Sequence, residues 1–90
     1  MIQTKLTHIS GHVQGVGFLA FVAKNALKEG ITGHAKNLNT GNVEVIACGK
    51  EEAIARLEKR LRGCPSAALI TDVTSKSIEH AGTWSGFLIL

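Results

Sequence analysis

A glycine-rich segment near the amino terminus holds the residues best suited to chemistry. It runs Gly11-His12-Val13-Gln14-Gly15-Val16-Gly17-Phe18, with three glycines among its first seven residues. Glycine reaches positive φ at little cost and lets a ligand approach the backbone without a Cβ in the way. Where such a loop leads into a helix, its free N–H groups and the positive end of the helix dipole can hold one anion. The segment therefore predicts a site for a phosphate-like group.

Two familiar phosphate-binding loops do not fit this segment. No Lys-Ser or Lys-Thr follows Gly17, as a P-loop requires. The glycine spacing also differs from the dinucleotide fingerprint, and no parallel sheet is predicted after it. Taken alone, a glycine-rich loop fits a tight strand-to-helix turn without a ligand equally well.

Hydrophobic periodicity predicts the elements that position this segment. Residues 5–10 alternate as a strand before it, and residues 19–29 form a helix after it. The remaining predicted elements are strands at 31–38 and 43–48, a helix at 50–62, a strand at 67–78 and a short strand at 87–90. This β-α-β-β-α-β order, with a short extra C-terminal strand, predicts an α+β ferredoxin-like sandwich with two helices on one face of an antiparallel sheet.

The same periodicity predicts which side chains face the core. The first helix presents an apolar face made of Leu19, Val22, Ala23, Ala26 and Leu27. The third strand and the second helix contribute Val43, Val45, Ala47, Ala53, Ile54, Leu57 and Leu61. In the fourth strand, strict alternation places Leu69, Thr71 and Val73 on one face, and Ile70, Asp72 and Thr74 on the other.

Length and composition indicate one small globular domain over residues 1–90. The chain is 44% hydrophobic and 19% charged, which is typical of a folded domain rather than a disordered one. It has neither an apolar run of the roughly 18–20 residues that cross a bilayer nor a secretory signal pattern, so we expect a cytoplasmic protein with no membrane partner. In that setting Cys48 and Cys64 are expected to be reduced thiols.

Charge and aromatic content exclude two further classes. The formal net charge is only +3 and the basic residues are dispersed, so no nucleic-acid partner is expected. An RNA-binding sheet of the same strand order would also need exposed aromatics, and strand 5–10 has none. His8 and His12 are four residues apart, but they straddle a strand end and a loop, so that spacing does not predict a metal site.

Two sequence blocks together resemble the acylphosphatase family. The first is residues 11–18, which match G-x-V-Q-G-V-x-F. The second is residues 30–45, which match G-x-x-G-x-x-x-N-x-x-x-G-x-V-E and its flank. The resemblance implies hydrolysis of a small acyl phosphate to a carboxylate and phosphate, without metal or organic cofactor, and we expect the chain to be a monomer. It also implies that the backbone of Gln14, Gly15, Val16, Gly17 and Phe18 binds the phosphate, and that Asn37 positions the attacking water.

The chain departs from the family pattern at Leu19. Acylphosphatases carry an arginine after the signature phenylalanine, and this arginine binds the phosphate oxygens. Removing a comparable arginine costs on the order of 10³–10⁵ in the rate of phosphoryl transfer. Lys24, Lys36 and His12 are the candidate substitutes, and none is placed convincingly. Two functions therefore stay open, an impaired acylphosphatase and a catalytically silent module that binds phosphate or another anion.

Overall fold

The computed structural model describes residues 2–12, 17–63, 69–79 and 86–90. Its elements follow the predicted order: β1 (Ile2–His12), α1 (Phe18–Lys28), β2 (Thr32–Asn37), β3 (Val43–Lys50), α2 (Glu51–Arg62), β4 (Leu69–Ser77) and β5 (Phe87–Ile89). β1 is longer than predicted because Gly11 and His12 still pair with β4, so the glycine-rich segment begins within a strand.

The five strands form one sheet in the order β4-β1-β3-β2-β5. β1 pairs antiparallel with both β3 and β4, and β2 pairs antiparallel with β3. The ferredoxin-like sandwich with an added strand is thereby confirmed. The sheet is mixed rather than wholly antiparallel, because β5 joins the edge of β2 in parallel. The pairings make β4 antiparallel to β2, and therefore also antiparallel to β5.

The core lies between the two helices and one face of the sheet. The predicted inward positions of β3 and α2 are all buried: Val43, Val45, Ala47, Ala53, Ile54, Leu57 and Leu61. Period-two alternation in β3 and helical spacing in α2 therefore predicted this part of the core correctly.

The buried face of α1 is rotated from the predicted one. Phe18 begins the helix and is buried together with Val22 and Ala26, four and eight residues further on. Leu27, predicted to face inward, is 62% exposed. It lies nine residues after Phe18, which is about 180° around the helix axis. Asn25 takes an inward position instead, and its Nδ2 donates a 2.8 Å hydrogen bond to the Phe21 carbonyl.

A β-bulge changes the side-chain pattern of β4. Ser10 of β1 is opposite Asp72 and Gly11 is opposite Ile70, so Thr71 has no partner in β1. The extra residue interrupts the alternation of side chains. Ile70 and Val73 therefore both pack against the core, and the prediction that they lie on opposite faces is wrong.

One carboxylate joins the two helices at the end of α1. Glu29 accepts hydrogen bonds from Arg56 Nε at 2.8 Å and from Arg60 Nη1 at 3.0 Å. The two arginines are one turn apart on α2, where their like charges would repel. The shared carboxylate offsets this repulsion and fixes α1 against α2.

Candidate anion-binding site at the start of helix α1

The predicted phosphate-binding backbone lies between the end of β1 and the start of α1. Gln14, Gly15 and Val16 fall outside the described residues, whereas Gly17 and Phe18 are within them. Gly17 is the N-cap of α1, with a left-handed backbone at φ 75° and ψ 14°. A Cβ there would meet no atom within 4 Å. Glycine is thus favoured at this position by conformation rather than by lack of space.

The first turn of α1 offers hydrogen-bond donors. Phe21 N–H donates to the Gly17 carbonyl at 3.1 Å and closes the first helical turn. Within residues 2–12, 17–63, 69–79 and 86–90, the N–H groups of Phe18, Leu19 and Ala20 have no acceptor. The first N–H groups of a helix have no partner inside the helix and need one elsewhere. As far as the described residues show, three adjacent N–H groups at the start of α1 have no protein acceptor and are candidate donors to a ligand.

The first turns of the two helices differ in their charged side chains. The first turn of α1 has no acidic residue and no side-chain cap. The first turn of α2, by contrast, carries Glu51 and Glu52. Carboxylates near a helix N-terminus interact favourably with the dipole and occupy the place of an external anion. Of the two helices, α1 is therefore the one suited to bind an anionic ligand at its start.

Phe18 contributes to the site through its backbone alone. Its side chain is buried in the core, and its ring stacks on that of Phe21 with centroids 6.3 Å apart. The ring holds the beginning of α1 against the sheet, while the N–H remains at the helix start. The signature phenylalanine therefore fixes where the donors point.

Leu19 lies in the first turn of α1, directly beside those donors. Its side chain is half-buried and packs against the core. It can offer neither a charge nor a hydrogen bond to a ligand. The predicted difference from the family arginine thus falls within the first turn of α1, at a position whose side chain supplies only packing.

Asn37 is the last residue of β2, and it lies at the same end of the sheet as the end of β1. It pairs with Val43 of β3, and Val43 pairs with Ile9 of β1. β1 and β2 run in the same direction, because each is antiparallel to β3. Directly opposed residues share one sheet face, so Asn37 lies on the helix-facing side with buried Val43. Asn37 is exposed, and its carboxamide has no hydrogen-bond partner among the described residues.

The turn after Asn37 fixes this end of β2. Leu38 N–H donates to the Asn42 carbonyl at 2.8 Å, and Gly41 N–H donates to the Leu38 carbonyl at 3.1 Å. The turn is therefore closed by backbone hydrogen bonds. Asn37 stands at a defined strand end rather than within a free loop.

The structure places two of the three candidate cations, Lys24 and Lys36, away from position 19. Lys24 is exposed on α1, five residues and about 140° around the helix from Leu19. Lys36 lies opposite Glu44 in the register of β2 and β3. It is the neighbour of Asn37 in the same strand, so its side chain points to the opposite sheet face. His12 is exposed at the end of β1 and is the closest of the three to the loop along the chain.

Two residues of the second signature block serve the fold. A Cβ on Gly33 would lie 1.8 Å from the Ile46 carbonyl oxygen, so no side chain fits there. Glu44 Oε2 lies 3.0 Å from His34 Nε2, on the sheet face that carries no helices. The first-turn N–H groups of Leu19 and Ala20, in contrast, continue the row of backbone N–H groups that was predicted only from Gln14 to Phe18. The start of the helix at Phe18 is the signal that would have indicated them.

The described residues contain neither a metal cluster nor a membrane span. No group of three or more His, Cys, Asp or Glu side chains among them could hold a metal ion. None of the helices in this part of the chain is long and apolar enough to cross a membrane. Cys48 is a half-buried free thiol, and Cys64 lies outside the described residues.

Comparisons with known proteins agree with both the fold and the signature blocks. The acylphosphatase family model matches residues 5–89. An acylphosphatase of Vibrio cholerae serotype O1 is 46% identical over 82 residues, which cover 91% of this chain and 90% of the relative. The structure of an acylphosphatase from Coxiella burnetii superposes with a TM-score of 0.91 at 34% identity, covering 99% of this chain and 93% of that one.

The same fold also occurs within a much larger protein. A crystal structure of full-length HypF, in a phosphate- and nucleotide-bound form, matches all of this chain with a TM-score of 0.92 at 28% identity. The match covers 12% of the HypF chain. A domain of this shape is therefore found both alone and as one part of a longer chain.

Proposed function

We propose that this chain, which belongs to the acylphosphatase family, hydrolyses small acyl phosphates at the start of α1. The reaction breaks the bond between phosphorus and the carboxyl oxygen, and water supplies the oxygen of the released phosphate. One observation carries the proposal: the first three N–H groups of α1, which have no acceptor among the described residues, lie at the end of the sheet where Asn37 ends β2. An anion held by those donors would lie at the same end of the sheet as the asparagine carboxamide.

The proposed roles follow from the groups present. The backbone N–H groups from Gln14 to Phe18, with those of Leu19 and Ala20, would bind the phosphoryl oxygens, because amide donors stabilise charge that develops in transfer. The Asn37 carboxamide would orient the attacking water. The leaving group is a carboxylate, whose conjugate acid has a pKa near 4, so it departs as an anion at neutral pH without a protein acid.

Leucine rather than arginine at position 19 lowers the rate expected for acyl phosphate hydrolysis. An arginine supplies a full charge and a bidentate contact to phosphoryl oxygens. Leucine leaves the amide donors, which carry only partial charges. We therefore propose that the chain binds phosphate and turns acyl phosphates over about 10³–10⁵-fold more slowly than a form bearing the arginine.

A second candidate function is an anion-binding module without turnover. Leu19 favours it, since the N–H donors remain while the permanent charge is missing. The match to 12% of the HypF chain shows that this fold also occurs within a longer chain. The two candidates share the anion site and differ only in whether water attacks.

A substitution series at position 19 tests the proposal. Acetyl phosphate hydrolysis is measured for the native chain and for Leu19→Arg, Leu19→Lys and Leu19→Met. Leu19→Met keeps an apolar side chain of similar volume and controls for lost packing. We expect Leu19→Arg to gain about 10³-fold or more in kcat, Leu19→Lys less, and Leu19→Met nothing. If Leu19→Arg binds phosphate yet gains no turnover, the silent module is the correct function.

A further inference from the structure

Strand β4 forms an open edge of the sheet. It is the first strand in the order β4-β1-β3-β2-β5, and no described strand pairs with its outer side. Nearly all of its described side chains are exposed: Thr71, Asp72, Thr74, Ser75, Lys76 and Ser77. An exposed edge presents unpaired N–H and C=O groups that another strand can bind.

The pairing with β1 determines which backbone groups of β4 face outward. Ile78 N–H donates to the Thr4 carbonyl of β1 at 3.0 Å. The residues of an antiparallel strand alternate between bonding one neighbour and bonding the other. Lys76, Thr74 and Asp72 therefore direct their backbone groups toward β1. Val73 and Ser75 direct theirs away from the sheet.

The outward backbone N–H and C=O groups of β4 are complementary to those of β4 in a second copy of the chain, when the two strands are antiparallel. A two-fold pairing centred on Thr74 places Val73 opposite Ser75 of a second copy, and both residues have outward backbone groups. Each such pair exchanges two N–H···O=C bonds, and the symmetry repeats the pair. A register shifted by one residue would place outward groups against inward ones, so those bonds would be lost.

The charges of β4 select this register. Centred on Thr74, the pairing places Asp72 opposite Lys76 of the second copy, and the symmetry repeats this pair as well. These are non-hydrogen-bonded positions, where opposed side chains approach most closely. A register centred on Val73 would place Lys76 opposite Ile70, and one centred on Ser75 would place Asp72 opposite Ile78. Neither alternative pairs the two charges.

We propose that β4 is a self-association edge, through which two copies of the chain form an antiparallel two-fold dimer. The two five-stranded sheets would become one continuous sheet with all four helices on one face. Edge charges commonly prevent strand pairing by repulsion, whereas the opposite signs of Asp72 and Lys76 make this edge complementary to itself. The bulge at Thr71 ends the ladder and keeps the interface small. The monomer predicted from the sequence is then the dilute state.

Sedimentation equilibrium of the full chain tests the dimer, from about 10 μM to about 2 mM. We expect Asp72→Lys and Lys76→Asp each to raise the dimer Kd about tenfold or more, because each turns two attractive pairs into two repulsive ones. The double variant Asp72→Lys/Lys76→Asp exchanges the charges and should restore the native Kd to within about threefold. Glu52→Lys and Lys59→Asp change net charge equally on the exposed face of α2 and serve as matched controls.

Three results would overturn the proposal. The first is a native chain that stays monomeric across the whole concentration range. The second is a double variant that associates no better than the single ones. The third is a weakening by Glu52→Lys as large as that by Asp72→Lys, which would show general charge repulsion. Amide exchange supplies an independent reading: Val73 and Ser75 should gain protection as concentration rises, and unchanged protection in a measured dimer would place the interface elsewhere.

Discussion

Asn37 pairs with Val43 across β2 and β3, and this register decides which face of the sheet its carboxamide occupies. Val43 is buried against the helices, so Asn37 lies on the helix side, at the edge where β1 ends. A slip of one residue would put Lys36 on this side and Asn37 on the open face. The pairing of β2 with β3 therefore places the one polar side chain proposed for water positioning.

Replacing Asn37 should separate turnover from binding. We expect Asn37→Ala to remove measurable acyl phosphate hydrolysis from the Leu19→Arg background, while the phosphate Kd changes by less than about threefold. The reason is that the carboxamide holds water and the backbone holds the anion. Asn39→Ala, at an exposed turn position, is the matched control and should leave both quantities as they were. Equal losses of affinity and turnover in Asn37→Ala would contradict the assigned role.

The left-handed backbone at Gly17 should make the site sensitive to substitution. Gly17→Ala forces a Cβ into φ 75°, at a cost of about 1 kcal/mol in the free energy of unfolding. Asparagine tolerates this conformation better than alanine. We therefore expect Gly17→Asn to retain more phosphate affinity than Gly17→Ala, as measured by calorimetric titration with inorganic phosphate. Identical affinities for the two variants would show that the Gly17 conformation does not orient the N–H donors.

A side chain at Gly33 should destabilise the sheet severely. The added Cβ would lie 1.8 Å from the Ile46 carbonyl oxygen, a backbone atom that cannot move aside cheaply. We expect Gly33→Ala to lower the free energy of unfolding by about 3 kcal/mol or more, measured by urea denaturation. Gly86→Ala is the control, because a Cβ there meets open space. A loss of less than about 1 kcal/mol would mean that β2 and β3 can separate locally.

The link between the helices should contribute modestly to stability. Glu29→Gln removes the charge that faces Arg56 and Arg60, both of which are substantially exposed. Because solvent screens such pairs, we expect a loss of about 1 kcal/mol in the free energy of unfolding, smaller at high salt. Glu79→Gln, on an exposed residue outside both helices, should change stability much less. The two substitutions would have equal effects if the carboxylate did not hold α1 to α2.

The sequence predicted those elements whose hydrophobic pattern follows a single period. Val43, Val45 and Ala47 alternate without interruption, and Ile54, Leu57 and Leu61 keep helical spacing, so both sets were placed correctly. Leu27 was misplaced because the periodicity was counted from Leu19, whereas the helix begins at the buried Phe18. Ile70 was misplaced because a bulge depends on pairing with β1, which local sequence does not encode. The parallel pairing of β5 likewise depends on a neighbour distant in sequence.

The candidate site was predicted in part from physical chemistry and in part from resemblance. The glycine-rich segment before the first helix was compatible with an anion site and with a ligand-free tight turn, and the match to the first signature block decided for the anion. Asn37 could be named only from the second signature block, since nothing in its local sequence distinguishes it from a turn asparagine. Its position beside the end of β1 follows from cross-strand registers that become known only with the fold.

The central claim is that an anion binds the first-turn N–H groups of α1, and an NMR titration tests it directly. Inorganic phosphate is added to the ¹⁵N-labelled chain while the amide resonances are followed. We expect saturable shifts with one common Kd at Phe18, Leu19 and Ala20, and no comparable shift at the start of α2, where Glu51 and Glu52 lie. Saturable shifts centred elsewhere, with those three amides unchanged, would contradict it.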